Sequence, residues 1–296
     1  MLTLEYLADL AQRHADALQA RPAPFTLRGR TFAHHPSTDL MGVVNLSADS
    51  WYRESVVLSA DAAIRRGVRL AAEGAALIDI GAESTLLQAA LVDAGGQQSM
   101  LVPVVKALAS QNILVSVETY HTSVTRACLA AGAAVLNMTT TAGTSEFYRL
   151  VADHDAGVII CYVQGEDVRR VGDFQLSDDH GAVLLEYFSR QTEMAAAAGV
   201  KRIWIDPGMG FYYKNLTDSA ARVRYQMRTF LETFRLRTLG WPTCHALPHA
   251  FEYFEDEVRC AEPFFAVLAL LGRTDLLRTH EVAKVRGVLE TMKTHS

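Results

Sequence analysis

From Leu40 onward, short apolar runs alternate with longer amphipathic stretches eight times, and no other feature of the chain limits its fold as tightly. The runs are Leu40–Leu46, Ala76–Ile80, Ile113–Val117, Ala134–Leu136, Gly157–Val163, Arg202–Ile205, Thr243–Leu247 and Asp275–Leu277. Between them lie segments whose apolar residues recur at helical spacing, among them Asp61–Glu73, Ser99–Ala109, Ser123–Ala131, Gly181–Ala198 and Glu281–Met292. A strand that is apolar without alternation is buried on both faces, and strands separated by helices pair in parallel. Eight such units in about 250 residues predict an α/β chain of the (β/α)8 TIM-barrel type. An open doubly wound sheet satisfies the same alternation and is the competing architecture.

The polar residues favour closure. In a barrel, chemistry gathers where strands end and βα loops begin. Those places hold Asn45 and Asp49, Asp79 with Glu83 and Ser84, Glu118, Asn137, Gln164, Asp206, His245 with His249, and His280. Any one of them alone reads as a solubilising loop residue, but a structural barrel needs no ring of them. Ahead of the barrel, Leu2, Leu4, Leu7, Leu10 and Ala11 mark a short amphipathic helix, and Phe25–Phe32 reads as a β-hairpin turning at Gly29. The chain therefore divides into a preamble over 1–39 and a barrel over 40–296.

Composition narrows the partners. Half of the 296 residues are hydrophobic and 21% are charged, enough for a packed core. A formal charge of −5 and a pI near 6.1 argue against nucleic acid. The cysteines Cys128, Cys161, Cys244 and Cys260 form no Cys-x-x-Cys pair and read as reduced. No leader pattern opens the chain and no apolar run is long enough to span a bilayer, so a cytoplasmic protein without membrane contact is expected. His245 and His249, four apart, flank Pro248 and cannot share a helix face, so no zinc site is expected from them. Trp204 and Trp241 read as packing residues, and His34 and His35 as exposed.

The most informative loop is Asp206-Pro207-Gly208-Met209-Gly210-Phe211, directly after an apolar run. A buried strand-end carboxylate can accept two hydrogen bonds from the donor–donor edge of an amino-pyrimidinone. Gly208 and Gly210 allow close backbone approach, and Phe211 offers an aromatic face. Asp-Pro-Gly alone is more often just a turn. It is the company of other segments that changes this reading. These are Met41–Ser50 at the first strand, Ile78–Thr85 at the second, Val115–Tyr120 at the third, Ala131–Asn137 at the fourth and Leu277–Val282 at the eighth. In order, over Leu40 to Met292, the set resembles the dihydropteroate synthase family.

That resemblance implies a transferase of folate biosynthesis. Such an enzyme joins 6-hydroxymethyl-7,8-dihydropterin diphosphate to p-aminobenzoate and releases pyrophosphate. It further implies that Asn137 and Asp206 grip the pterin, with Gly208, Gln164 and Phe211 also at the substrate and Phe211 against the p-aminobenzoate ring. Asn45 would help hold Mg²⁺ shared with the diphosphate, while Thr85, Arg278 and His280 contact the diphosphate itself. Asp49, on the first loop, joins Glu118 and His249 as the expected catalytic groups. The family pairs through its last helices, here Glu262–Leu271 and Glu281–Met292, which makes a homodimer the expected assembly. Two departures stand out. Leu86-Leu87-Gln88 occupies the place of the family's Arg-Pro-Gly, and Leu247-Pro248-His249-Ala250-Phe251 that of its Ser-Arg-Lys-Ser-Phe. They open an alternative, a divergent pterin-binding homologue that uses another acceptor or is catalytically silent. Arg53, in the first loop, reads either as plain surface charge or as a replacement cation.

Overall fold

The computed structural model describes residues 2–34, 36–47, 56–57, 59–84, 89–211, 213 and 215–295. Asp49, Arg53, Thr85, the segment 86–88 and Lys214 lie outside the described residues, as does His35.

Helices α1 (Leu4–Arg13) and α2 (Ala15–Gln19) lead into the hairpin β1 (Phe25–Leu27) and β2 (Arg30–Phe32). The alternation then begins with β3 (Asp39–Asn45), α3 (Ala60–Ala72), β4 (Leu77–Gly81), α4 (Ala94–Ala109), β5 (Val115–Thr119), α5 (Thr122–Ala131), β6 (Val135–Met138) and α6 (Thr144–Asp153). It continues through β7 (Gly157–Cys161), a small hairpin β8 (Gly165–Asp167) and β9 (Arg170–Val171), α7 (His180–Ala197), β10 (Ile203–Asp206) and α8 (Ser219–Glu232). It ends with β11 (Cys244–Ala246), α9 (Phe251–Phe254), α10 (Ala261–Leu271), β12 (Leu276–Thr279) and α11 (Val282–Lys293). Several helices start on a side-chain cap: Ser59, Asp93, Asp179 and Asp218 each accept a hydrogen bond from an amide of the first turn of α3, α4, α7 and α8.

All eight apolar runs are strands, joined in parallel in the order β10-β7-β6-β5-β4-β3-β12-β11. A parallel bridge from Ile205 to Thr243, with Ile205 N donating to Pro242 O at 3.0 Å, brings β10 against β11 and closes the barrel. The doubly wound alternative is excluded by this closure. Several strands run further than the apolar pattern indicated, through Glu118-Thr119, Asp206 and Arg278-Thr279. The ladder continues where side chains turn polar, and these polar tips form the mouth of the barrel.

The hairpin β1–β2 stops the other end. Leu27 and Phe32 are buried in one apolar cluster with Ala76, Leu77, Ala134, Val135 and Leu276, which lie at the beginnings of strands. Trp204 meets Phe25 and Phe32 edge-on, with ring centroids 4.7 and 5.2 Å apart. Arg28 fixes the hairpin from outside, donating to the carbonyls of Gly132 and Ala133 at 2.7 and 2.8 Å. His34, expected to be exposed, is instead buried, its ring 5.3 Å from that of Phe25. The aromatic floor that covers it is assembled from residues far apart in the chain.

Candidate active site at the barrel mouth

A cleft enclosing about 1030 Å³, its solvent mouth included, opens at the C-terminal ends of the strands. Its deepest wall is a charged network. Asp79, wholly buried on β4, accepts from Ser116 Oγ at 2.6 Å through one carboxylate oxygen. The other accepts from Asn137 Nδ2 at 3.2 Å and Arg278 Nε at 2.7 Å. Arg278 reaches on to Glu118, Nη2 to Oε2 at 2.6 Å. Asn137 in turn accepts from the Cys161 thiol, 3.3 Å away. Four neighbouring strands and β12 thus contribute to one floor: Asp79 stands in register with Ser116 and Glu118 with Asn137, while the bonds from Asn137 to Asp79 and Cys161 run diagonally across the ladder.

The electrostatics follow from burial with too few cations. Desolvation pushes Glu118 up to about 7; Arg278 opposes that rise, and Asp79, Asp206 and Glu83 add to it. Desolvation likewise lifts Asp206 to about 6, against the amides of Gly208 and Ala246, which favour its ionised form. Burial would lower the Arg278 pKa, but the carboxylates of Glu118, Asp79 and Asp206 more than reverse this, so it remains a cation.

Asp206 is held by its own loop. Its Oδ1 accepts from Gly208 N at 2.8 Å, and Gly208 makes that turn at φ +78°. A Cβ there would fall 2.2 Å from Tyr162 O, so both the left-handed backbone and the close approach require glycine. Gln226 of α8 supports the same loop, Nε2 donating to Met209 O at 3.1 Å. One turn earlier, Arg222 lines the cleft with Phe211, Pro248 and His249. Its Nη2 lies 2.5 Å from both carboxylate oxygens of Glu252.

Behind His249 and His280, Glu262 at the start of α10 is wholly buried and gathers donors from β12 and the residues just after it. Thr279 Oγ1 donates to Oε2, as do the amides of His280 and Glu281 at 3.0 and 3.2 Å. Oε1 meets His280 Nδ1 at 2.7 Å and His249 Nε2 at 3.2 Å. Burial alone would raise Glu262, but His280 and His249 hold it well below the usual carboxylate range. Burial lowers His280 to about 4 despite Glu262 beside it. In this coupled pair Glu262 is the ionised partner and His280 the neutral one.

Of the residues singled out from sequence, Asn45, Glu118, Asn137, Asp206, Gly208, Phe211, His249, Arg278 and His280 come together around this one cleft. Gln164 does not line it: its side-chain amide is exchanged with the backbone of Gln175, at 2.7 Å and 3.3 Å. His245 does not line it either; it lies within β11 with its side chain buried, Nε2 2.6 Å from Thr233 Oγ1. Asp49 and Thr85 fall outside the described residues. Sequence reasoning missed Arg222, Gln226, Glu262 and Cys161 as lining or supporting groups. For Arg222 the signal was present, since Asp218-Ser219 is a helix start that places it in the first turns of α8.

Comparison with known proteins adds the following. The model of the family described as pterin binding enzyme matches residues 41–244. A dihydropteroate synthase of Streptococcus pyogenes serotype M6 is 32% identical over 208 residues, covering 69% of this chain and 72% of that one. The type-2 dihydropteroate synthase of Escherichia coli is 29% identical over 269 residues, 86% of this chain and 94% of its own. Among solved structures, Xanthomonas albilineans dihydropteroate synthase with 4-aminobenzoic acid superposes with a TM-score of 0.76 at 27% identity, covering 93% of this chain and 98% of that one. Burkholderia cenocepacia dihydropteroate synthase complexed with 7,8-dihydropteroate gives 0.76 at 25% identity, covering 93% and 96%.

Proposed function

The chain belongs to the pterin binding enzymes, among the dihydropteroate synthases, and from that premise we propose how its cleft performs the family's transfer. The reaction joins 6-hydroxymethyl-7,8-dihydropterin diphosphate to p-aminobenzoate. The observation that carries this reading is the buried Asp206 carboxylate, sharing a deep cleft with Asn137, Glu118 and Arg278. An amino-pyrimidinone presents two parallel donors, and an ionised carboxylate is the side chain that accepts both. Asn137, which donates to Asp79 and accepts from Cys161, is locked in one orientation and offers a fixed polar edge to the rest of the ring.

Chemistry then needs charge in two places. As the carbon–oxygen bond to the diphosphate breaks, the oxygen keeps the electron pair and the pterin methylene becomes cationic. Glu118, Asp79 and Asp206 put carboxylates beneath that cation, with Arg278 between two of them preventing their mutual repulsion from opening the floor. The lone pair of the aromatic amine then forms the carbon–nitrogen bond, and the amine proton leaves to solvent at the open mouth. We place His280 on the diphosphate side. The position of Arg278 between Asp79 and Glu118 supports a part in the pterin floor rather than a free arm for the diphosphate.

Asn45, at the tip of β3 in the cleft wall, fits a Mg²⁺ site. It offers one neutral oxygen, which suits a hard cation that takes its other ligands from substrate oxygens and water. Bound there, the ion would neutralise charge developing on the leaving pyrophosphate. The acceptor's carboxylate needs a cation as well, and we assign that part to Arg222. It lines the same cleft as Phe211, and only Nη2 of its guanidinium is engaged among the described residues. We also read the protein as a cytoplasmic homodimer, supported by exposed Phe264, Leu271 and Met292 on its last two helices and by the unpaired cysteines.

The test is pyrophosphate release from the pterin diphosphate, with and without p-aminobenzoate. Release that depends on p-aminobenzoate is expected; release indifferent to it, or none, rejects the reading. Arg222→Ala should raise KM for p-aminobenzoate about tenfold or more while leaving the KM of the pterin within about twofold.

A further inference from the structure

We propose that His249, Glu262 and His280 form a binding site for a borderline divalent cation, best matched by Zn²⁺. This site would be distinct from the oxygen donor at Asn45. The proposal does not depend on which acceptor the enzyme uses. It starts from the asymmetry of one carboxylate. Oε2 of Glu262 accepts from Thr279 Oγ1 and from the amides of His280 and Glu281, the His280 amide also reaching Oε1 at 3.2 Å. These donors anchor the group and leave Oε1 aimed at two imidazoles. One ligand atom from each of the three residues lies within 4.8 Å of the other two.

Three elements converge to make this cluster. His249 follows Pro248 beyond β11, and the next residue, Ala250, takes φ 44°, turning the chain sharply into α9. That turn carries Phe251 back against the His249 ring, stacked at 5.2 Å. His280 sits just past the tip of β12, its ring 5.1 Å from that of His249. Glu262 is wholly buried while the histidines remain 12% and 10% exposed at the cleft wall. A cation held by the three would thus be anchored from the protein side and open toward the cleft.

The donor set selects the metal. Two imidazole nitrogens and one carboxylate oxygen suit zinc with a position left open, and are poor ligands for Mg²⁺, which favours oxygen and water. Ferrous iron accepts the same three donors, and the affinity order for such sites favours zinc over it. Without a metal the same atoms still meet, His280 Nδ1 donating to Oε1 at 2.7 Å and His249 Nε2 standing 3.2 Å from it. The two states differ by protons, since metal binding releases them and leaves no N–H between ring and carboxylate.

The experiment uses the full chain, stripped of metal with a chelator and then titrated with Co²⁺ as a visible probe, followed by zinc competition against a chromophoric chelator. Expected are about one equivalent per chain, the intense visible band of low-coordinate Co²⁺, displacement by Zn²⁺ and none by excess Mg²⁺. His249→Ala and Glu262→Gln should each weaken zinc binding by about tenfold or more. His249 is at the lip, so His249→Ala should retain the wild-type circular dichroism spectrum even where Glu262→Gln disturbs packing. Absence of the band, displacement by Mg²⁺, or unchanged affinity in folded His249→Ala would overturn the site.

Discussion

At Asp206 binding and stability pull in opposite directions. The folded chain holds the proton of this carboxyl up to about pH 6, whereas an unburied aspartate releases it near 3.8. Its contribution to stability is therefore whole below about pH 4 and is lost as the pH climbs through 6. At neutral pH the free enzyme carries a destabilising buried charge worth about 3 kcal/mol, and that ionised form is the one that can accept two donors from a pterin. Two outcomes follow. Affinity for a dihydropterin, measured by calorimetry, should fall as the pH drops below about 6. Asp206→Asn should abolish that binding while leaving the urea midpoint at pH 8 equal to or above wild type. An amide that destabilised the protein at pH 8 and still bound the pterin would contradict both halves of the argument.

At the scale of elements, what the sequence disclosed depended on which kind of side chain each element buries. The eight barrel strands and the apolar α10 were legible because they bury aliphatic residues. Helix α8 was not, because among its buried residues are Gln226, Thr229 and Glu232, which hide its period from any hydrophobic pattern. The same distinction runs through the site. Asp206, Asn137 and Arg278 were visible at strand tips, but Arg222 reaches the cleft, and Glu262 the histidines that line it, from helices. Pairing Glu262 with His249 and His280 required the barrel itself, since no spacing along the chain suggests it. Packing between α8 and α10 turns on Gly272, where an added Cβ would meet the Phe230 carbonyl oxygen at 1.8 Å. Gly272→Ala must push the helices apart, and a loss of about 1–3 kcal/mol is expected. Calorimetric scans should register it as a lower Tm, with Gln226 and Arg222 displaced enough to raise KM as well; an unchanged Tm would show that the helices have room to give.

For the whole molecule the stopper at the strand beginnings matters as much as the mouth. Phe32 is only 1% exposed although it lies in a preamble of short elements outside the ring of strands. Phe32→Ala should cost about 3–5 kcal/mol in chemical denaturation, a core penalty; a surface-sized effect would mean that the barrel holds its floor without the hairpin. Closed there by Leu27, Phe32 and Trp204, the barrel is a blind well rather than a passage. Molecules in a well leave in the reverse of the order in which they arrived. On the placement proposed above, the pterin at Asp206 has to descend first, and the acceptor lodged near Arg222 and His249 seals it in. Traffic through this enzyme is a queue with a single door, and a molecule that fits only the upper level can block the door without ever reaching the bottom.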